Sequence, residues 1–355
     1  MADIRLMKGN EAIAEAAIRA GCDAYFGYPI TPQSEVMEYL AAEKPEERTG
    51  MIVLQAESEI ASINMVFGAA STGKRVMTSS SSPGISLMTE GISYLAGAQL
   101  PCVVVNVARG GPGLGTIQPS QADYFQAVKG GGHGDYKMLV LAPASAQEMA
   151  DHAKLAFELA FKYRNPVMIL SDGVIGQMME KVELFDQVPR ATTFDQSWTA
   201  TGKTKNRKRN IVTSLYLEPT ICEKHNQGLQ AKYRQMEKEE VRYEKIMCDD
   251  AEYIMVAYGA SARISQKAVT YARSKGHKVG LFRPITLFPF PSKELLAMTP
   301  QLKGILSVEM SAGQMIEDIK LAVESKVRVE HYGRYGGVVH SPEEVWQGFK
   351  KHFLS

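Results

Sequence analysis

Between residues 23 and 171 short apolar runs alternate with longer segments of helical period, and this alternation narrows the fold more than any other feature of the chain. Strands are expected at 23–28, 51–54, 74–79, 103–107, 138–141 and 167–171. Helices are expected at 8–20, 32–40, 59–71 and 146–163, with one more entered from the loop 79–84 and running through Gly97. Strands that alternate with helices pair in parallel, and the helices cover both faces of the sheet. Met51, Ile52, Val53 and Leu54 are apolar at successive positions, the pattern of a strand covered on both sides. Chemically active side chains collect at the carboxyl ends of strands in such sheets. Thr31, Glu59, the serines at 79, 80, 81 and 82, and Arg109 each follow an expected strand.

At 355 residues the chain is too long for one ordinary core. A polar, irregular stretch at 185–215 precedes a highly charged helix at 224–244, expected to be a surface connector because it has few clear apolar repeats. A second alternating unit follows, with strands at 253–258, 279–282, 304–309 and 327–332, helices at 262–275 and 314–323, and a glycine-rich turn at 332–337. The expected division is 1–190, a linker with the charged helix at 191–248, and a smaller α/β domain at 249–355.

Lysines and arginines exceed acids by a net charge of only +1, which gives no argument for nucleic acid. No apolar run is long enough for a bilayer, and Met1-Ala2-Asp3-Ile4-Arg5 lacks a signal peptide's apolar core, so the expected location is cytoplasmic. Cys22, Cys102, Cys222 and Cys248 form no C-x-x-C pair, so neither a zinc knuckle nor a common iron–sulfur pattern is supported. The basic run 203–209 reads as a solvated loop, or as a dock for an acidic partner or an anionic cofactor tail.

Glu59 stands at a helix start, where free backbone donors favour a carboxylate. It either caps the helix or exchanges a hydrogen bond with a heterocycle nitrogen of a ligand. Arg109 carries a planar donor fork suited to a substrate carboxylate, or it closes an ion pair at the strand end. Thr31 precedes a proline and is first a helix cap, second a hydroxyl donor to a ligand. The glycines at 110–115 match neither a G-x-G-x-x-G turn nor a phosphate-binding loop; they either wrap a ligand or form a mobile loop at a subunit contact. His133, among the glycines at 130–134, is an acid or base in the accessible range, or a structural or exposed ring. Ser80 and Ser82 have no G-x-S-x-G elbow and no partner histidine.

The ordered set Gly27-Tyr28-Pro29-Ile30-Thr31-Pro32, Glu57-Ser58-Glu59-Ile60-Ala61-Ser62-Ile63-Asn64, Thr78-Ser79-Ser80-Ser81-Ser82-Pro83-Gly84 and Ala108-Arg109-Gly110-Gly111-Pro112 resembles the alpha subunits of 2-oxoacid:ferredoxin oxidoreductases. Leu170-Ser171-Asp172-Gly173, Arg283-Pro284-Ile285-Thr286-Leu287-Phe288-Pro289-Phe290-Pro291 and Glu309-Met310-Ser311-Ala312-Gly313-Gln314 extend it over almost the full chain, and it is similar to the branched-chain (3-methyl-2-oxobutanoate) type. The resemblance implies a thiamine-diphosphate-enzyme pyrimidine-binding-like domain followed by a transketolase C-terminal-like α/β domain. It implies thiamine diphosphate shared with a beta subunit, with Glu59 on the aminopyrimidine ring and Pro29 and Ser82 also against the cofactor. Thr31 and Arg109 would face the 2-oxoacid. Asp172-Gly173 is not preceded by glycine and lacks the downstream asparagine, so magnesium and diphosphate are expected on the beta subunit. Iron–sulfur clusters are expected on partner subunits, with gamma and ferredoxin-like delta chains in the complex, coenzyme A as co-substrate and ferredoxin as electron acceptor. A subunit of a non-oxidative 2-oxoacid decarboxylase and an assembly subunit with a vestigial site are the alternatives.

Overall fold

The computed structural model describes residues 3–189, 197–203, 205 and 207–354. The expected boundary at 190/191 lies outside the described residues, as do Thr204 and Asn206 of the basic run.

The first half runs β1 (Asp3–Lys8), α1 (Gly9–Arg19), β2 (Ala24–Gly27), α2 (Ser34–Glu43), α3 (Pro45–Thr49), β3 (Ile52–Gln55), α4 (Glu59–Ser71), β4 (Val76–Ser80) and α5 (Ser82–Gly97). It continues through β5 (Cys102–Ala108), β6 (Leu139–Leu141), α6 (Ala146–Tyr163), β7 (Pro166–Asp172), α7 (Gly173–Gln177) and β8 (Met179–Leu184). After α8 (Pro219–Glu239) come β9 (Tyr243–Ile246), β10 (Tyr253–Val256), α9 (Gly259–Ser274), β11 (Val279–Pro284) and β12 (Thr286–Phe288). The chain closes with α10 (Ser292–Leu296), β13 (Gly304–Glu309), α11 (Met315–Val323), β14 (Val329–Gly333) and α12 (Pro342–Phe353).

A seven-stranded sheet of order β12-β6-β7-β5-β4-β2-β3 forms the larger layer, parallel except at β12. Its centre is β4, β5 and β7, every residue of which is buried beneath helices, as consecutive β-branched residues in β5 require. The strand order reverses at β2, which has β3 on one side and β4 on the other. The carboxyl ends of β2 and β4 therefore flank a switch point, where ligands of open parallel sheets bind. The second sheet, β14-β13-β10-β11-β9, is parallel except at β9, with α9 and α12 packing Ala268, Val269, Trp346 and Phe349 against it.

Several elements depart from the sequence expectation. β3 is not covered on both sides: it is the sheet's edge, and Ile52 and Leu54 are 56% and 39% exposed. Tyr243 and Glu244, expected at the end of the charged helix, instead begin β9 of the second sheet. That helix is no surface connector, because α8 buries Leu229, Tyr233 and Met236 against the rest of the chain. β1 and β8, unmarked in the sequence, pair antiparallel as a separate ribbon. The segment 283–291 interlocks the two halves. β12 joins the first sheet through β6, while Arg283 of β11 grips both Glu148 oxygens at 2.7 and 2.8 Å and Glu244 at 2.9 Å.

Burial, helped by Arg283 and Arg242 against the pull of Glu148, holds the His152 ring down at about 4. Burial holds His340 at about 4 as well. An unfolded histidine takes its proton near pH 6.5, so these rings favour the fold fully above that value and lose their contribution as pH falls from 6.5 toward 4. Each ring accounts for about 3 kcal/mol at most across that window. Urea midpoints should fall through this range, and His152→Gln should flatten the fall; an unchanged curve in the variant would refute the assignment.

Candidate active site

Ser58 caps α4: its extended backbone turns the chain from β3, and its Oγ accepts from Ala61 N at 3.2 Å. That frees Glu59, the next residue, from capping. Its side chain is 6% exposed and makes no hydrogen bond to any described residue. The carboxylate instead lies against the first turn of α5. A Cβ placed on Gly84 would stand 2.6 Å from Glu59 Oε1 and 2.0 Å from Ser80 Oγ, so only glycine leaves room for it. Ser80 Oγ and Ser81 Oγ are buried beside this turn without partners. Glu57 diverges from Glu59, being exposed and accepting from Ser58 Oγ at 2.9 Å.

On the other side of the same turn stands Arg109, at the end of β5. It closes no ion pair among the described residues. Its Nη1 donates to Thr31 O at 2.9 Å and its Nη2 to Leu114 O at 3.2 Å, while Nε is buried without a partner. Thr31 is not a helix cap: Gln33 occupies that position on α2, and Pro32 precedes the helix through a cis peptide bond. Thr31 is exposed, and its hydroxyl bonds to no described residue. Gln33 ties this loop to β4, accepting from Ser79 Oγ at 2.6 Å and donating to Tyr28 O at 3.0 Å. Tyr25 OH lies 2.7 Å from the same Ser79 oxygen.

Ser82 is bound within the chain. Its Oγ donates to Asp123 Oδ2 at 2.6 Å and accepts from Arg109 N at 2.9 Å, and Asn106 Nδ2 reaches the same Asp123 oxygen at 2.8 Å. Burial raises the Asp123 carboxyl above its ordinary value, against the hydrogen bonds of Ser82 and Asn106. Asn106 left a trace in the sequence, a lone amide inside the run Val103-Val104-Val105-Asn106-Val107; Asp123 left none.

The structure thus brings Thr31, Arg109 and Ser82 into one hydrogen-bonded group and sets Glu59 two residues away along α5, against Gly84. Pro29 is exposed on the β2 loop. His133 stands outside this group, exposed and edge-on to Tyr94 near the far end of α5. The 110–118 loop is pinned at its base, Gly110 N to Gln118 O and Thr116 N to Gly110 O, both at 2.9 Å, and packs on the closing glycines at Gly336 and Gly337. Asp172 caps α7 through Val174 N and Ile175 N, and its other oxygen accepts from Ala260 N at 3.0 Å, so it joins the two halves. On β3, α4 and α5, the elements nearest Glu59 in the chain or packed against it, Ile52, Leu54, Ile60, Met65 and Leu87 are exposed.

The reversed sheet, the buried carboxylate at its switch point and the second parallel sheet define a thiamine-diphosphate-enzyme pyrimidine-binding-like domain followed by a transketolase C-terminal-like domain. Residues 15–245 match the family described as "Pyruvate flavodoxin/ferredoxin oxidoreductase, thiamine diP-bdg", and residues 251–345 match "Pyruvate:ferredoxin oxidoreductase core domain II". The chain belongs to this 2-oxoacid:ferredoxin oxidoreductase family, as an alpha-type subunit. It is 52% identical to the ketoisovalerate oxidoreductase subunit VorB of Methanothermobacter thermautotrophicus, over 94% of this chain and 93% of that one. It is 36% identical to the 2-oxoglutarate synthase subunit KorA of Methanocaldococcus jannaschii, over 96% and 98%. The solved 2-oxoglutarate:ferredoxin oxidoreductase from Magnetococcus marinus, with 2-oxoglutarate, coenzyme A and succinyl-CoA bound, superposes with a TM-score of 0.88 at 28% identity. That match covers 98% of this chain and 65% of the solved chain.

Proposed function

We propose that the chain is the alpha subunit of a thiamine-diphosphate-dependent oxidoreductase that converts a branched-chain 2-oxoacid, such as 3-methyl-2-oxobutanoate, to acyl-CoA and CO2 and passes the electrons to ferredoxin. The observation that carries this reading is Glu59, a buried carboxylate with no partner among the described residues, held at the switch point by a glycine that leaves it room. A carboxylate left without a protein partner at a strand switch point is available to a ligand, and one here fits the aminopyrimidine edge of thiamine diphosphate. When bound, the cofactor supplies the nucleophilic carbon and the electron sink for loss of CO2.

The chain's own residues hold and orient. Glu59 shares a proton with an aminopyrimidine nitrogen. The free N–H groups of Arg109 and the Thr31 hydroxyl take the carboxylate and carbonyl side of the 2-oxoacid. Pro29 and the first turn of α5 at Ser82 border the cofactor. Diphosphate and magnesium fall to the beta subunit, which covers the exposed apolar residues of β3, α4 and α5 and completes the site. Iron–sulfur clusters belong to partner chains, gamma and delta subunits complete the complex, and ferredoxin is its electron acceptor. The cytoplasmic location belongs to the same proposal, supported by Cys102, Cys222 and Cys248 as free thiols. Among the described residues no helix is long and apolar enough to cross a membrane.

The test is reconstitution with the beta subunit, thiamine diphosphate, magnesium, coenzyme A and an artificial electron acceptor. Acyl-CoA and reduced acceptor should appear together; aldehyde without acceptor reduction would identify a non-oxidative decarboxylase. In that assay Arg109→Lys should raise the KM for the 2-oxoacid by about 10–100-fold, because an ammonium cannot replace the planar fork. An unchanged KM would remove Arg109 from the substrate.

A further inference from the structure

We infer that Asp123 is a positioning residue for Arg109, and that the C-terminal domain acts on substrate binding through it. The link is short and polar. Asp123 Oδ2 takes hydrogen bonds from Ser82 at 2.6 Å and Asn106 at 2.8 Å, and Ser82 in turn accepts the backbone N–H of Arg109 at 2.9 Å. One carboxylate oxygen therefore fixes both the end of β5, where Arg109 stands, and the first residue of α5, which carries Gly84 two positions on. Removing it would strand Ser82 and Asn106 in a half-buried site and release the Arg109 backbone.

The residues on either side of Asp123 belong mechanically to the other domain. Gln121 N donates to Met310 O at 2.9 Å. Its Oε1 accepts from Ser261 Oγ at 2.6 Å and Met310 N at 3.0 Å, and its Nε2 donates to Tyr258 O at 2.8 Å. Gln314 donates to Ala122 O at 2.7 Å and accepts from Phe125 N at 2.8 Å; Tyr124 OH donates to Asp318 at 2.7 Å. Segment 121–125 is thus clamped by the second sheet's loops and by α11, with Asp123 the residue in it that turns toward Arg109. The C-terminal domain thereby sets the seat of the guanidinium. The functional half of this inference rests on the reading of Arg109 as the substrate's carboxylate partner.

The test uses the assembled complex and steady-state kinetics. Asp123→Ala should raise the KM for the 2-oxoacid about tenfold while the KM for coenzyme A and the activation constant for thiamine diphosphate stay within about twofold. Asp123→Asn, whose amide oxygen can take both bonds, should restore the KM. The double variant with Arg109→Ala should be no worse than Arg109→Ala alone, since both act through one group. Gln314→Ala, in the C-terminal domain, should raise the same KM about threefold. Loss of folded protein lowers Vmax and leaves KM untouched, so a structural role alone predicts no change in KM. If Asp123→Ala does not assemble, Ser82→Ala cuts the same link and should show the same KM rise. If Arg109→Ala raises the KM and Asp123→Ala or its Ser82 substitute does not, the positioning role is wrong and the reading of Arg109 stands. A flat KM in Gln314→Ala with a raised one in Asp123→Ala overturns the part assigned to the C-terminal domain. If Arg109→Ala itself leaves the KM unchanged, the substrate reading fails first.

Discussion

Glu59→Gln should lower kcat of the reconstituted complex by about 10²–10⁴-fold, the range for loss of a positioned acid or base, with stability within about 1 kcal/mol of the parent chain. The two halves of this expectation come from different facts. Ser58, not Glu59, caps α4, so the helix keeps its cap when the carboxylate becomes an amide and gives up only the charge's interaction with the first turn, about 0.3–1 kcal/mol. Glu59 has no hydrogen-bond partner among the described residues, so the substitution breaks no side-chain hydrogen bond to them. A carboxylate without a side-chain partner adds little to the isolated chain's stability, so its main effect is expected when something else binds. Glutamine keeps the shape beside Gly84 but cannot take a proton from a cofactor ring. The measurement pairs thermal melts of the chain with single-turnover decarboxylation in the complex. Wild-type rates in Glu59→Gln would end the assignment. A fall in midpoint matched by the fall in rate would return the residue to a structural role.

Sequence pattern revealed elements where a local signal sets their ends. Helix α4 runs Glu59–Ser71 and α6 runs Ala146–Tyr163 as expected, because Ser58 and Ser145 each cap the following turn with a side-chain oxygen. Strand β13 likewise runs Gly304–Glu309 as expected. Failures arose where a partner far along the chain decides. Ile52 and Leu54 have the apolarity of a covered strand, yet no described residue covers them: β3 is an edge, and the pattern records a demand for burial without saying what meets it. Thr286–Phe288 gave no hint of leaving its own domain, since β12 finds its place only by pairing with β6. α8 looked too charged to pack because Leu229, Tyr233 and Met236 are sparse, though spaced to face one way. In the site, Thr31 and Arg109 were legible as strand-end residues, and the structure joins them by a hydrogen bond. The serine that the resemblance set against the cofactor is already held by Asp123 and Arg109. Asp123 has no motif around it, and only its burial and partners mark it out.

The same geometry makes a methyl group at position 84 an expected functional lesion with little structural cost. A Cβ on Gly84 meets no backbone atom among its three closest neighbours. It meets Ser80 Oγ at 2.0 Å and Glu59 Oε1 and Cγ at 2.6 and 2.9 Å, the ends of side chains that can rotate away. Its φ is not in the left-handed region, so alanine suits the backbone, and in a helix it gains about 1 kcal/mol over glycine. That gain offsets much of the cost of turning Ser80 and displacing Glu59, so the stability of Gly84→Ala should stay within about 1 kcal/mol of the parent chain. The displacement is the point. A carboxylate pushed aside by an ångström loses its alignment, and misplacements of that size cost about 10²-fold in rate. Gly84→Ala should therefore fall about 10²-fold in kcat without unfolding, and the double variant with Glu59→Gln should be little slower than Glu59→Gln alone, because both remove one interaction. Multiplying effects would mean that Gly84 serves the site by some route other than Glu59. A stable Gly84→Ala protein at full rate would show that the carboxylate needs no such exact seat, and that another group orients the cofactor.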